Sequence, residues 1–392
     1  MRRGVKALAA AGAACLLSAA ASGAAVRPPT VAGIGLVRVG DSASYAIRHA
    51  PASLLIVSTA GAAWAARQPG RSLVYFAGTD VNTKWNAGVS YAQAARNGWL
   101  LKDASGELLV NRGYPANYVG DVGNPAYQRA WLANVSRFLK SHGDDGVLID
   151  DVLYDLTPLA DAEAAKYPTQ PEWAAAELSF IRTVGRGLRA QGYYVLVNAS
   201  GYVPDDLRSD TGANTAAWWR ALGPYVSGLE NEYYQETSTG DDTLRSTGGS
   251  WSQNWDGWQR LVDVAQSMGR DFVAESYGAA DDARAMIYGR ASFLLDWNGG
   301  RGAYIYVPTD GSNPWTASST ADIGRPAAAK RHVGSGWLRR YTGGVVLVNP
   351  SGSRSQSFEL PGSFTVPGSG STVTKVTVPP TEALILRGTP VS

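Results

Sequence analysis

The sequence predicts an α/β chain: a (β/α)8 TIM barrel followed by a small C-terminal antiparallel β domain. Three observations point there. Eight short apolar runs alternate with helical-looking segments or long connections over roughly 275 residues, the usual span of such a barrel. Acidic and amide side chains gather at the C-terminal ends of those runs, the end that carries a barrel's active face. No GxGxxG follows the first run, as a doubly wound nucleotide-binding sheet would favour. From about Gly324 the texture changes to short β-rich runs separated by Pro, Gly and Ser turns. The expected division is a leader over residues 1–25, a barrel over 30–320 and a β domain over 325–392.

The elements follow in order. Residues 35–39 form the first expected strand, with a short helical piece over 45–49 after it. Residues 53–58 (SLLIVS) and 72–77 (SLVYFA) are the second and third, with a short helix over 62–67 between them. A long excursion occupies 83–124, where Asp103 and Gly106 mark a hairpin turn. Loops of that length inside a compact domain are usually functional or carry structure of their own. Asn124-Pro125 opens a helix over 126–141 whose apolar residues Trp131, Val135, Phe138 and Leu139 have helical spacing. It leads into the fourth strand, GVLIDD, a run buried on both faces that ends in Asp150 and Asp151. Helices over 172–191, 215–222, 255–268 and 281–294 then precede strands over 193–198, 225–232, 271–275 and 302–307.

Composition narrows the function. Arg2, Arg3 and Lys6 ahead of an Ala/Leu-rich stretch, with small residues at 22–25, have the layout of a cleaved secretory signal, so the mature chain is expected outside the cell without a stable membrane anchor. Cleavage removes Cys15, the only cysteine, and leaves 32 basic against 33 acidic residues. A near-neutral chain without basic blocks speaks against nucleic acid as partner. Three scattered histidines, His49, His142 and His332, offer neither a histidine metal site nor a histidine-dependent triad. No cofactor is expected. The 13 Trp and 19 Tyr against 7 Phe supply amphipathic rings suited to wet grooves as well as to cores.

Ionised Asp at the end of a buried strand is costly unless it caps a turn or serves a site. The candidates at equivalent strand ends are Asp80, Asp150, Asp151, Asn198, Glu230, Glu232 and Glu275, with Asp310 beyond the eighth strand. Two carboxyls facing each other across a barrel mouth are the minimum equipment for glycoside hydrolysis: a protonated acid and an ionised nucleophile or base. Asp150 on strand four and Glu232 or Glu230 on strand six fit those roles, and the two-residue period of a strand leaves the two glutamates on one face. Asp150 and Asp151 would point oppositely if both stayed in the strand. Tyr233, Tyr234 and the aromatic run around Trp251 are candidates for stacking on sugar, with helix packing the alternative for Trp258.

The run DGVLIDDV (residues 145–152) resembles the strand-four motif of the α-galactosidase-type superfamily of TIM-barrel glycoside hydrolases, in which DGxxxD carries the nucleophile. SGLENEYY (227–234) is similar to the strand-six Gly-x-x-x-Glu of glycoside-hydrolase-like barrels in that superfamily. KDASGELL, DVGNPAYQRAW, NASGY and GGVVLVNPS add further likeness, in the same order along most of the chain. The resemblance implies Asp150 as nucleophile, Glu232 as acid/base and a retaining reaction on an extracellular poly- or oligosaccharide. Asp80, Asp151, Asn198, Glu230, Tyr233, Trp251 and Glu275 are then expected to bind sugar or tune the pair. The competing expectation is a barrel that binds glycans without cleaving them.

Overall fold

The computed structural model describes residues 31–38, 52–84, 88–200, 213–238, 241–248, 254–309 and 316–388. Eight parallel strands close into a barrel: β1 (Val31–Arg38), β2 (Ala52–Val57), β3 (Arg71–Ala77), β6 (Gly146–Asp150), β7 (Tyr194–Asn198), β8 (Gly228–Asn231), β11 (Asp271–Gly278) and β12 (Ala303–Pro308). β12 pairs back onto β1 through Tyr304 and Ile34, which completes the ring. The expected helices appear as Pro125–His142, Gln170–Ala190, Ala213–Leu222, Trp255–Ser267 and Ala283–Asp296, with a single turn at Ala62–Ala65. The leader, the helical piece over 45–49, Asp310 and Trp251 lie outside the described residues.

Local chemistry explains the boundaries. Asn124 caps the first long helix by accepting from the Ala126 N–H at 2.9 Å, Pro125 starts it, and Gly143 ends it at φ 79°. Thr169, Asn254 and Asp282 cap three others in the same manner. Strand alternation sends Leu54, Ile56, Leu73, Leu148, Leu196, Val273, Ala303 and Ile305 into the barrel, where they form its central packed layer. The opposite strand faces pack against the helices, with Trp131, Trp173, Trp219, Trp255 and Trp297 fully buried there.

The excursion after β3 has its own order. Strands β4 (Asp80–Asn82) and β5 (Asn117–Val119) pair antiparallel, bringing Asp80 opposite Val119 and Asn82 opposite Asn117. The turn at Asp103 and Gly106 forms as expected, with the Asp103 N–H donating to Glu107 O at 2.9 Å. A second small hairpin, β9 (Glu236–Ser238) with β10 (Asp241–Leu244), follows β8.

Beyond the barrel lies a six-stranded sheet ordered β13–β14–β15–β18–β16–β17, spanning Arg331–Val333, Gly336–Tyr341, Gly344–Asn349, Glu382–Arg387, Gln356–Thr365 and Thr372–Val378. It packs on the Ala283–Asp296 helix. Arg339 Nη1 lies 2.9, 3.0 and 2.7 Å from the carbonyls of Leu294, Leu295 and Trp297, and the Tyr341 hydroxyl donates to Leu294 O at 2.6 Å. An arginine and a tyrosine of the sheet thus satisfy carbonyls that the helix end leaves open.

Candidate active site

Asp150 ends β6 with its side chain on the interior face, at the C-terminal mouth of the barrel. Its Oδ2 accepts from the Tyr75 hydroxyl at 2.7 Å and its Oδ1 from Asn198 Nδ2 at 2.8 Å. The same Asn198 Nδ2 donates to Glu232 Oε2 at 2.9 Å. One amide therefore bridges the two carboxylates, which places these oxygens no more than about 5.7 Å apart, short of the ~6.5–9.5 Å class of carboxyl pairs and compatible with the ~5–5.5 Å class. The amide is held in that orientation from behind. Asn198 Oδ1 accepts from the Ser200 N–H at 3.1 Å and the Ser200 hydroxyl at 2.5 Å, so only the NH2 group can face the acids. Ser200 Oγ in turn accepts from the Glu232 N–H, tying the two ends of the bridge together.

β8 stops at Asn231, one residue short of its expected end, and Glu232 stands in the turn that follows. Tyr233 and Gln235 there adopt φ 59°, a conformation uncommon for residues other than glycine. Glu232 thus lies beyond the strand end, two residues nearer the mouth than Glu230. Glu232 Oε1 accepts from the Tyr277 hydroxyl at 2.7 Å. Burial, then the charge of Asp150, raises the Glu232 carboxyl above the ordinary range, while the bonds from Tyr277 and Asn198 pull it part of the way back. A carboxyl so placed keeps its proton longer than an exposed glutamic acid.

Glu230 is 1% exposed and sits deeper, beside Glu275 of β11. Its neighbour is the Glu275 carboxyl, and neither Glu230 oxygen has a hydrogen-bond partner among the described residues. Burial, then the neighbouring acids, lifts Glu230 well above its ordinary value. Glu275 is pushed up to about 8 by burial and by Glu232. These two glutamates, expected to bind sugar or tune the pair, are buried beneath the mouth. The interior face of the strands carries them below the turn that holds Glu232.

Asp151 leaves the strand at φ 56° rather than continuing to the opposite face. Its carbonyl accepts from Thr79 Oγ1 at 2.7 Å, and the same oxygen lies 2.5 Å from Glu177 Oε1 on the Gln170–Ala190 helix. A single hydroxyl hydrogen serves one acceptor, so a protonated Glu177 donates to Thr79 while Thr79 donates to Asp151. Burial raises Glu177 to about 8, which keeps that proton in place at neutral pH. The Asp151 carboxyl is raised by burial first, then by Asp150, Asp80 and Glu232, so it shares their field. Asp80 Oδ2 accepts from Asn111 and Asn117 at 2.8 and 2.6 Å. Burial lifts Asp80 to about 6.

The structure thus gathers Asp80, Asp150, Asp151, Asn198 and Glu232 at one mouth, with Glu230 and Glu275 below it. Tyr233 stands at the rim with its ring 5.3 Å from that of Tyr277. Tyr234 is fully buried and bonds Gln259, and Trp255 and Trp258 pack inside the helix layer, so these three rings are core. The sequence offered no separate signal for Tyr75, Tyr277, Thr79, Glu177 or Ser200, which look like ordinary strand, helix and loop residues. Tyr114, at the tip of the excursion, was also missed; it is 69% exposed, and the charges of Glu232, Asp151 and Asp150 act on its hydroxyl. Among the described residues no group of three or more His, Cys, Asp or Glu side chains is arranged to hold a metal ion.

The first half of DGxxxD has a structural explanation. Asp145 Oδ2 accepts from the Ser72 N–H at 2.8 Å at the opposite end of the barrel, and Gly146 leaves no room for a side chain, since a Cβ there would lie 2.0 Å from Tyr194 O.

Solved structures with a similar fold include the glycoside hydrolase domain of PelA from Pseudomonas aeruginosa, at 14% identity over 69% of this chain and 99% of that one, with a TM-score of 0.45. A sulfoquinovosidase of family GH31 from E. rectale, bound to an aza-sugar inhibitor, is 11% identical over 92% of this chain and 63% of that one, with a TM-score of 0.49. Aspergillus fumigatus Ega3 in complex with galactosamine is 11% identical over 73% of this chain and 95% of that one, with a TM-score of 0.41. No curated protein matches the sequence. The profile described as "Hypothetical glycosyl hydrolase family 15" matches residues 74–345, which takes in both catalytic candidates and the strands that carry them, and the chain belongs to that glycosyl hydrolase family.

Proposed function

We propose that the chain is a secreted, retaining glycoside hydrolase of the α-galactosidase-type superfamily, acting on an extracellular poly- or oligosaccharide. The observation that carries this is the Asn198 amide bridging Asp150 and Glu232, with bonds of 2.8 and 2.9 Å. A spacing of that size leaves no room for a water between one carboxylate and the anomeric carbon, so direct attack by a carboxylate is the consistent route. Asp150 holds donors from Tyr75 and Asn198 and serves as nucleophile. Its oxygen bonds to the anomeric carbon as the glycosidic C–O bond breaks, and Glu232 gives its proton to the leaving oxygen. Water then attacks the glycosyl ester, Glu232 takes the water's proton, and Asp150 leaves as carboxylate. Secretion is supported by the basic, apolar and small-residue sequence layout over residues 1–25.

The test is reducing-end release from a polysaccharide panel by the wild type and by Asp150→Asn and Glu232→Gln. Each variant is expected to lose activity by about 10³-fold or more. Full activity in either variant would sink the assignment. NMR of the first-formed product distinguishes retention from inversion of the anomeric configuration. Glycans bound tightly but never cleaved would favour the non-catalytic alternative. N-terminal sequencing of protein recovered from culture medium, expected to start near residue 26, checks the leader.

A further inference from the structure

The two ends of the barrel differ in how their acids are paired. At the N-terminal end, Arg71 and Arg301 lie over the Tyr194 ring at 4.5 and 5.3 Å, and Arg301 pairs with Asp271 at 3.2 Å. At the C-terminal mouth the charges acting on Asp80, Asp151, Glu232 and Glu275 are those of other carboxylates, Asp150 among them. Among the described residues no Lys or Arg forms an ion pair with any of these acids. A second observation is independent of that crowding. Asp80 is 1% exposed; both of its amide donors, Asn111 and Asn117, reach Oδ2, and no donor reaches Oδ1. A buried carboxylate oxygen left without a donor is costly, so such an atom marks where a ligand donor belongs.

A neutral sugar could supply one hydroxyl to Asp80 Oδ1, but it would leave the mutual repulsion of the acids untouched. An ammonium group supplies up to three N–H donors and a positive charge. A divalent cation would need several oxygens converging on one point, and no such group occurs among the described residues. We propose that the sugar bound at this mouth carries a primary ammonium group, held between Asp80 Oδ1 and the Asp151 carboxylate, which makes the substrate a hexosamine polymer with free amino groups. This rests on the hydrolase assignment above and narrows it to a substrate class.

The test compares gluco- and galacto-configured hexosamine oligosaccharides as free amines, their fully N-acetylated forms and the matching neutral hexose oligosaccharides. Wild-type reducing-end release is measured on each. Binding is measured by calorimetry to Asp150→Asn at low and high NaCl. The free-amine forms are expected to be preferred by about ten- to a hundredfold, with binding that weakens as salt rises. Asp80→Asn, which keeps the shape and removes the charge, is expected to lose most of that preference; the wild-type comparison stands even if this variant does not fold. Equal or better cleavage of the N-acetylated or neutral forms overturns the ammonium proposal and leaves the hydrolase assignment intact. Salt-sensitive binding of the amines without any cleavage supports the ammonium site and removes the hydrolase assignment. No binding and no cleavage of the amines overturns the proposal.

Discussion

The Tyr277 hydroxyl donates to Glu232 Oε1 and so favours the ionised form of that carboxyl. In Tyr277→Phe that support is gone, and the Glu232 proton is held more tightly. The alkaline limb of kcat/KM, set by loss of the general acid's proton, is expected to move upward by up to about one pH unit. A limb that stays in place or moves down would show that Glu232 is not the acid. Glu177 makes a second prediction with the opposite consequence for stability. Its folded value near 8 exceeds the ordinary 4.5, so the folded chain retains a proton that the unfolded chain has released. That contribution is complete below pH about 4.5 and is lost as pH climbs towards 8. Glu177→Gln keeps a neutral hydrogen-bonding partner for Thr79 and removes the penalty. The unfolding free energy of this variant is expected to match the wild type near pH 5 and to exceed it increasingly towards pH 8, by a few kcal/mol at the upper end. A constant offset across that range would contradict the buried, protonated Glu177.

At the scale of elements, the register of β6 against β7 places Asp150 within reach of Asn198. Gly146, opposite Tyr194, permits that close approach, and a Cβ there would lie within 2.0–2.8 Å of three Tyr194 backbone atoms. Gly146→Ala is therefore expected to push the strands apart, lowering stability by several kcal/mol and reducing activity with it. Denaturant midpoints and reducing-end release check both. Periodicity made the eight strands and the long helices legible, because each is a continuous run that buries one face or both. The β4–β5 hairpin was not legible, since its strands are three residues each and more than thirty residues apart. Only the folded excursion brings Asn111 and Asn117 to Asp80.

Across the whole molecule, the six-stranded sheet and the barrel meet at the end of the Ala283–Asp296 helix. Three carbonyls there depend on one guanidinium. Arg339→Met is expected to cost about 2 kcal/mol of stability, and Arg339→Lys to recover little, because a point charge on a flexible stem does not reproduce the planar fork. Calorimetric unfolding of the two variants tests this, with kcat and KM expected to stay within twofold of the wild type. Larger kinetic changes would mean that the sheet supports the mouth as well as the helix. The contrast between an arginine paired with Asp271 at one end of the barrel and, among the described residues, carboxylates without a paired cation at the other belongs to this scale too, since the residues involved are spread from Arg71 to Arg301.

The sequence by itself determined the barrel, the β-rich sheet after it and the strand ends at which Asp150, Asn198 and Glu232 stand, because burial of alternating or continuous apolar runs is a local pattern. Tertiary structure decided which acids share a site and in what protonation state. The left-handed backbone at Asp151 breaks the two-residue alternation there, and the end of β8 at Asn231 divides Glu232 from Glu230, at the two places where the sequence left roles open. Asp151 turns into the field of Asp80 and Asp150 instead of away from it, and Glu232 stands at the mouth above a buried Glu230. Backbone conformation at a single residue, and the burial that shifts a carboxyl, depend on neighbours distant in the chain; no spacing of residues along the sequence encodes them.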